Sequence, residues 1–338
     1  MSKLARGLTL SAAAGAALYV AFAAWAGWHQ VAERLSVFAV PTALLALALA
    51  AANYAVRFVK WEYYLRRLEV RIPSGSSLAI FLSGFALTVT PGKIGEVLKS
   101  YLIRERYGIA MARTAPTVVA ERVTDLVALL LLAVLGAGSL GGSRRVLWAG
   151  AALVGLLCAF VALRPLGELA IGLLERLPVV GRFGPKLREF YASTRHLLAP
   201  LPLTVATALS LVAWAAECLA FYVILRGFPG TAVDLLACTF IYAAMTVAGA
   251  LSFLPGGLGV QEGGMVALLI AASARLDEPT AFAATFITRL CTLWFAVLVG
   301  VVALAWARGP GEVDLGALER ARGGEPVPGG EGSPPSLP

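Results

Sequence analysis

The sequence predicts an all-α polytopic membrane protein with about six transmembrane helices, plus two re-entrant helical hairpins, arranged as inverted repeats. Three observations carry this. Of the 338 residues, 59% are hydrophobic and 14% charged, whereas a soluble domain carries roughly 25% charged residues; a water-soluble enzyme is excluded. Apolar runs recur along the chain at close to the ~20 residues that a spanning helix needs. Two of the apolar stretches are broken by related sequences, Pro91-Gly92-Lys93-Ile94-Gly95 and Pro255-Gly256-Gly257-Leu258-Gly259.

Taken in order, Lys3 and Arg6 precede an apolar run from Leu8 to Trp28, too long for the ~7–15-residue core of a signal peptide and read as a retained first helix. Val37 to Val59 is the second span. It ends in Arg57, Lys60, Trp61, Tyr63, Tyr64, Arg66 and Arg67, the composition of a membrane–water border with aromatic anchors. From Ser76 to Ile103 a short apolar stretch stops at Pro91-Gly92, and a mixed segment with Lys93, Glu96 and Lys99 follows. That pattern predicts a hairpin of two half-helices. Thr114 to Ser139 spans despite Glu121, Arg122 and Asp125, and Val146 to Leu163 spans again. Pro165 to Pro200 is an amphipathic, arginine-rich segment suited to the cytoplasmic membrane surface. Leu201 to Leu225 spans with Glu217 inside it. Leu235 to Ala274, broken at Pro255-Gly256, is the second hairpin, and Pro279 to Trp306, interrupted by Arg289, is the last span. Residues 1–307 therefore form the membrane domain, with repeats over about 8–139 and 146–307, and 308–338 a disordered cytoplasmic tail.

Charge tests this layout. With the N-terminus in the cytoplasm and both hairpins returning to the side they entered, 21 of the 28 lysines and arginines face the cytoplasm. Arg34, Arg144, Arg145, Arg226 and Arg275 face outward, and Arg122 and Arg289 lie inside spans. Such a bias fits a multi-pass protein of the bacterial inner membrane with both termini cytoplasmic. The net charge of +8 reports this orientation and contact with anionic headgroups, not nucleic acid. Each hairpin is followed by an intramembrane arginine, and three crossings per half turn the second half upside down, an arrangement of secondary transporters.

Thr90-Pro91-Gly92-Lys93-Ile94-Gly95-Glu96, Glu121-Arg122-Val123-Thr124-Asp125 and Leu254-Pro255-Gly256-Gly257-Leu258-Gly259-Val260-Gln261-Glu262 together resemble the lysylphosphatidylglycerol synthase transmembrane-region family. The likeness covers roughly residues 10–307. It implies a flippase-like protein. In the aminoacyl-lipid synthases of that family a soluble transferase domain follows the membrane part; here only a short tail follows, so the resemblance implies lipid translocation and not aminoacylation.

The residues themselves suggest how a headgroup is held. Helices broken at membrane depth must line protein or a water-filled cavity. Pro91, Gly92, Lys93, Gly95 and Glu96 in one hairpin, and Gly256, Gly257, Gly259 and Glu262 in the other, are candidate substrate-binding residues, because a helix N-terminus reached through glycines favours phosphate. The competing reading is a glycine-rich packing contact without ligand. Arg122 and Arg289 are the sharpest candidates: guanidinium clasps phosphate bidentately, and a buried arginine is rarely idle. Their alternative is an internal ion pair, Arg122 with Asp125 or Glu121 and Arg289 with Glu217 or Glu262. Glu121, Asp125 and Glu217 are supporting or proton-coupling candidates. Lys93 and Lys99 gather anionic lipid or snorkel to the interface.

The expected partner is thus a membrane lipid with an anionic headgroup, an anionic phospholipid or a polyprenyl-phosphate-linked lipid, with a second copy of the chain or an envelope-building machine as further partners. The rival readings are a lipid-modifying transferase and a non-catalytic assembly partner. No cofactor, metal or catalytic residue is expected. Gly92-Lys93 is followed by isoleucine, so no phosphate-binding P-loop exists. His29 and His196 make no metal pattern, no nucleophile elbow is present, and Cys158, Cys218, Cys238 and Cys291 sit singly in apolar stretches.

Overall fold

The computed structural model describes residues 28–89, 96–138, 152, 184–274 and 276–307, which are helical with no strand among them. Helix α1 is Trp28–Ser36 and α2 is Val40–Arg67. α3, Ser74–Ser83, runs into a tighter turn over Gly84–Leu87; α4 is Leu98–Tyr107, α5 Met111–Thr114 and α6 Pro116–Ala137. The second part of the chain has α7, Gly184–Leu197, α8, Pro200–Arg226, α9, Leu235–Leu251, and α10, Val260–Ala272. A short Pro255–Gly257 turn separates α9 from α10. α11, Glu278–Arg289, passes through a wide π-turn at Leu290–Trp294 into α12, Phe295–Ala307.

Local chemistry sets the helix starts. Pro occupies the first turn of α2, α6, α8 and α11, where its missing N–H leaves no helical bond unmade. Asp234 accepts from the Ala237 N–H at 2.8 Å, and Asp277 from the Thr280 N–H at 3.2 Å. Such caps contribute about 1 kcal/mol each. Gly108 closes α4 in the left-handed region, at φ 67°.

Among the described residues three helices are long and apolar enough to cross a membrane: α2, α8 and the combined Glu278–Trp306. α6 has 22 residues but carries Glu121, Arg122 and Asp125 near its start. α8 packs along α2 and α6, α6 along α9, and α12 against α3 and the turn after it. Two apolar cores result, one around α6, α8, α9, α10 and α11, the other around α2, α3, α4 and α12. Two crossings are so tight that only glycine fits. A Cβ on Gly136 would stand 2.4 Å from the Leu236 carbonyl oxygen, and one on Gly300 would stand 2.1 Å from the Ala86 nitrogen.

Two expectations need correction. α2 does not end in an interfacial border near Val59; it continues to Arg67, with Lys60, Trp61, Tyr64 and Leu65 buried. Trp61 and Tyr64 are therefore not membrane anchors: the Trp61 indole donates to Ser77 Oγ at 3.1 Å, and Tyr64 Oη lies 3.2 Å from Thr124 Oγ1. The partners come from α3 and α6, so long-range packing overrides the composition of the segment. The expected span from Leu8 up to residue 27, the turn at Pro91 to Gly95, the span from Val146 to Leu163 except residue 152, and the tail lie outside the described residues. α7 is what is described of the amphipathic segment, with Lys186, Arg188, Arg195 and His196 exposed and Leu197 buried.

Candidate functional site

Between the two cores lies a cavity of about 190 Å³, bounded by residues from both parts of the chain. Of the sequence-predicted residues, Glu96, Arg122, Glu217, Gly256, Gly257 and Arg289 line it. Glu121, Asp125, Gly259 and Glu262 stand behind that wall. Pro91, Gly92, Lys93 and Gly95 lie outside the described residues.

The first cluster centres on Asp125 of α6. Its Oδ1 receives Lys60 Nζ at 2.6 Å and the Ser210 hydroxyl at 2.9 Å. Its Oδ2 is 3.4 Å from Arg57 Nη2 and 3.6 Å from Arg122 Nη2. Three cations thus share one buried carboxylate. Arg122 Nη2 also lies 2.9 Å from Glu96 Oε1, two residues before α4. Beside them, Lys99 Nζ bonds Glu121 Oε2 at 2.6 Å and sits 4.6 Å from the centre of the Trp61 ring. Gly84 makes room for its stem, since a Cβ there would be 3.0 Å from Lys99 Cγ. The expectation that Lys99 snorkels to the interface is corrected: it is 3% exposed, held by a counter-charge and an aromatic face.

The second cluster centres on Arg289. Nε donates to Glu262 Oε1 at 2.6 Å, Nη1 to Gln261 Oε1 at 2.9 Å, and Nη2 to the Gly256 carbonyl at 2.6 Å. Those bonds tie the end of α11 to the Pro255–Gly257 turn and to the start of α10. The turn needs glycine, because Gly256 and Gly257 have φ of 62° and 69° and Gly259, capping α10, has φ 87°. Glu262 Oε2 in turn accepts the Gly259 N–H at 2.7 Å. A third group, Glu217 on α8, accepts from the Tyr242 hydroxyl at 2.6 Å.

The ion-pair alternatives thus resolve in part. Arg289 pairs with Glu262; Arg122 meets Asp125, as its i, i+3 spacing allows, but is closer to Glu96. Each arginine pairs with a carboxylate near the start of a helix, Glu96 just before α4 and Glu262 in the first turn of α10. The spacings are 26 residues for Glu96–Arg122 and 27 for Glu262–Arg289.

The family model for the lysylphosphatidylglycerol synthase TM region matches residues 10–300. The chain belongs to this family. A UPF0104 membrane protein of Methanothermobacter thermautotrophicus is 27% identical over 290 residues, covering 78% of this chain and 84% of that protein. Across the synthase-TM-region match, five cations (Arg57, Lys60, Lys99, Arg122, Arg289) face five carboxylates (Glu96, Glu121, Asp125, Glu217, Glu262) inside an apolar envelope.

Sequence reasoning missed Arg57, Trp214, Tyr54 and Tyr242, all of which line the cavity. A signal existed for Arg57: Asn53, Arg57 and Lys60 recur at helical spacing on one face of an apolar helix. None existed for Trp214, one aromatic in a uniformly apolar span. Among the described residues no group of three or more His, Cys, Asp or Glu is arranged to hold a metal ion.

Proposed function

We propose that the protein is a lipid translocase, which moves an anionic phospholipid or a polyprenyl-phosphate-linked lipid between the leaflets of the cytoplasmic membrane without changing it chemically. The cavity carries this reading. A charge crossing bare hydrocarbon costs ~2.5–3.5 kcal/mol on insertion scales and more for an unassisted ion. A cavity lined by Arg57, Arg122 and Arg289 lowers that cost for a headgroup phosphate. Beside it Leu251, Phe253 and Leu254 are 62%, 73% and 44% exposed, an apolar lip for the acyl or prenyl chain to follow. The charge-balanced walls fit transport better than tight storage, because the lipid must also leave.

In this reading about six spans and two re-entrant hairpins form inverted repeats, and the matching Glu96–Arg122 and Glu262–Arg289 pairs support the duplication. Both termini then face the cytoplasm. Reconstitution into liposomes with fluorescent phosphatidylglycerol tests the function. Leaflet exchange that requires Arg122 supports it. A chemically modified lipid points to a transferase instead, and neither exchange nor product points to an assembly partner; both results overturn the proposal.

A further inference from the structure

The five cations of the site are not equally engaged. Arg289 directs Nε, Nη1 and Nη2 to protein oxygens. Lys60 is held by Asp125 and Ser210, and Lys99 by Glu121. Arg57 and Arg122 differ. Arg57 Nε, Arg122 Nε and the indole nitrogen of Trp214 are buried donors with no hydrogen-bond partner among the described residues. The Arg122 contacts to Glu96 and Asp125 are ionic approaches without hydrogen-bond geometry.

All three residues line the cavity, and they come from three helices, α2, α6 and α8. They also hold one another in place. The Arg57 guanidinium packs 5.8 Å from the Trp214 ring centre and 5.7 Å from that of Phe85. Asp125 Oδ2 reaches both arginines, at 3.4 and 3.6 Å, and so fixes their separation. A buried donor left unsatisfied costs roughly 1–3 kcal/mol, and such groups are rare enough in native folds that each calls for a reason. Three on residues of one cavity wall, two of them on guanidinium groups, suit an acceptor that is anionic and rich in oxygen.

Building on the translocase reading, we propose that Arg57, Arg122 and the Trp214 indole N–H form the phosphate subsite, and that Arg289 is a positioning residue that holds the second turn. The ligand class is a phosphate ester: its oxygens accept from two guanidinium edges and one neutral indole donor at once. Because the set reads the phosphate and not what is esterified to it, headgroups that share a phosphodiester bind comparably, and lipids without phosphate do not.

The test measures binding of dihexanoyl phosphatidylglycerol, with dihexanoylglycerol as the phosphate-free control, to the full chain in nanodiscs. Trp214→Phe keeps the ring on which Arg57 rests and removes only the N–H. Arg57→Lys keeps the charge and removes the planar fork. Each is expected to weaken phosphatidylglycerol binding about tenfold or more, the value of one hydrogen bond to a charged group, while the thermal midpoint without added dihexanoyl lipid stays near that of the wild type. The second variant decides the matter if the first does not fold. Wild-type binding that both variants retain overturns the subsite and leaves the translocase reading standing. Wild-type indifference between the two lipids overturns both.

Discussion

Arg289→Ala separates a positioning role from a binding role. The substitution removes three interhelical hydrogen bonds, to Glu262, Gln261 and the Gly256 carbonyl. At about 0.6 kcal/mol each, the average for such bonds in a membrane protein, the loss is ~2 kcal/mol. It also leaves Glu262, whose side chain is 4% exposed, without the guanidinium; breaking a buried pair from one side costs ~3–5 kcal/mol. The single variant is therefore expected to lose ~2–5 kcal/mol in equilibrium unfolding in mixed detergent–dodecyl sulfate micelles. Adding Glu262→Gln removes the stranded charge and keeps an acceptor for the Gly259 N–H, which now lies 2.7 Å from the carboxylate. The double variant should regain part of the lost stability and, with it, lipid exchange in liposomes. A single variant within ~0.5 kcal/mol of wild type, the ordinary spread for surface changes, would refute the structural reasoning. So would a double variant that is stable yet inactive, since Arg289 would then be binding the headgroup itself.

Asp125→Asn should destabilise more than Lys60→Met in the same unfolding assay. The first leaves the fully buried ammonium of Lys60 without its counter-charge, a cost of about 3–5 kcal/mol, whereas Asp125 keeps Arg57 and Arg122 in the second; the reverse order would count against the cluster. Gly300→Ala pushes a methyl into the Ala86 backbone and should cost about 1–3 kcal/mol or more, while Gly138→Ala, with nothing within 4 Å, should be neutral. At the Asp277 cap, partial burial raises the carboxyl pKa, but the Thr280 and Arg34 contacts outweigh it and hold it below its ordinary value. Its contribution to stability is present above that ordinary value and fades as pH falls through the lowered one, so the wild type's advantage in thermal midpoint over Asp277→Asn should vanish on acidification. A cysteine at Ala192, exposed on α7, should label only from the cytoplasmic side; labelling from outside would break the inverted-repeat topology.

What the sequence made legible was whatever depends on a contiguous stretch. Leu201 to Leu225 was expected as a span and α8 runs Pro200–Arg226; the last span was expected from Pro279 to Trp306 and the helix runs Glu278–Trp306. The Pro255-Gly256 break falls where the helices part, because positive φ at successive glycines leaves no helical alternative. Partners set by distant segments were not legible. Arg57, Lys60, Trp61 and Tyr64 look like an interfacial border when only neighbours are counted. Their burial depends on Asp125, Ser210, Ser77 and Thr124, which lie on α6, α8 and α3. For the same reason the i, i+3 pair of Arg122 with Asp125 was foreseeable, and the shorter contact with Glu96, across a turn, was not.

The two arginines look equivalent along the chain, each following a Pro-Gly turn, yet their surroundings give them different work. The difference arises from the residues around each turn. In the second half, Gln261 and Glu262 stand adjacent on α10 and Gly256 offers its carbonyl, so one guanidinium can satisfy three acceptors and lock the turn. In the first half, Glu96 and the shared Asp125 reach Arg122 through a single nitrogen, Nη2, and leave its Nε unspent. On the proposed translocase reading, a site that must both stay folded in apolar surroundings and release its cargo gains from such a division. Were both arginines fully bonded, only Arg57 and the Trp214 indole would have donors left for a phosphate; were both unspent, the cations would lack the partners that keep broken helices closed. On the proposed translocase reading, the asymmetry assigns headgroup recognition to the Arg57–Arg122 wall and mechanical integrity to the Arg289 wall of one cavity.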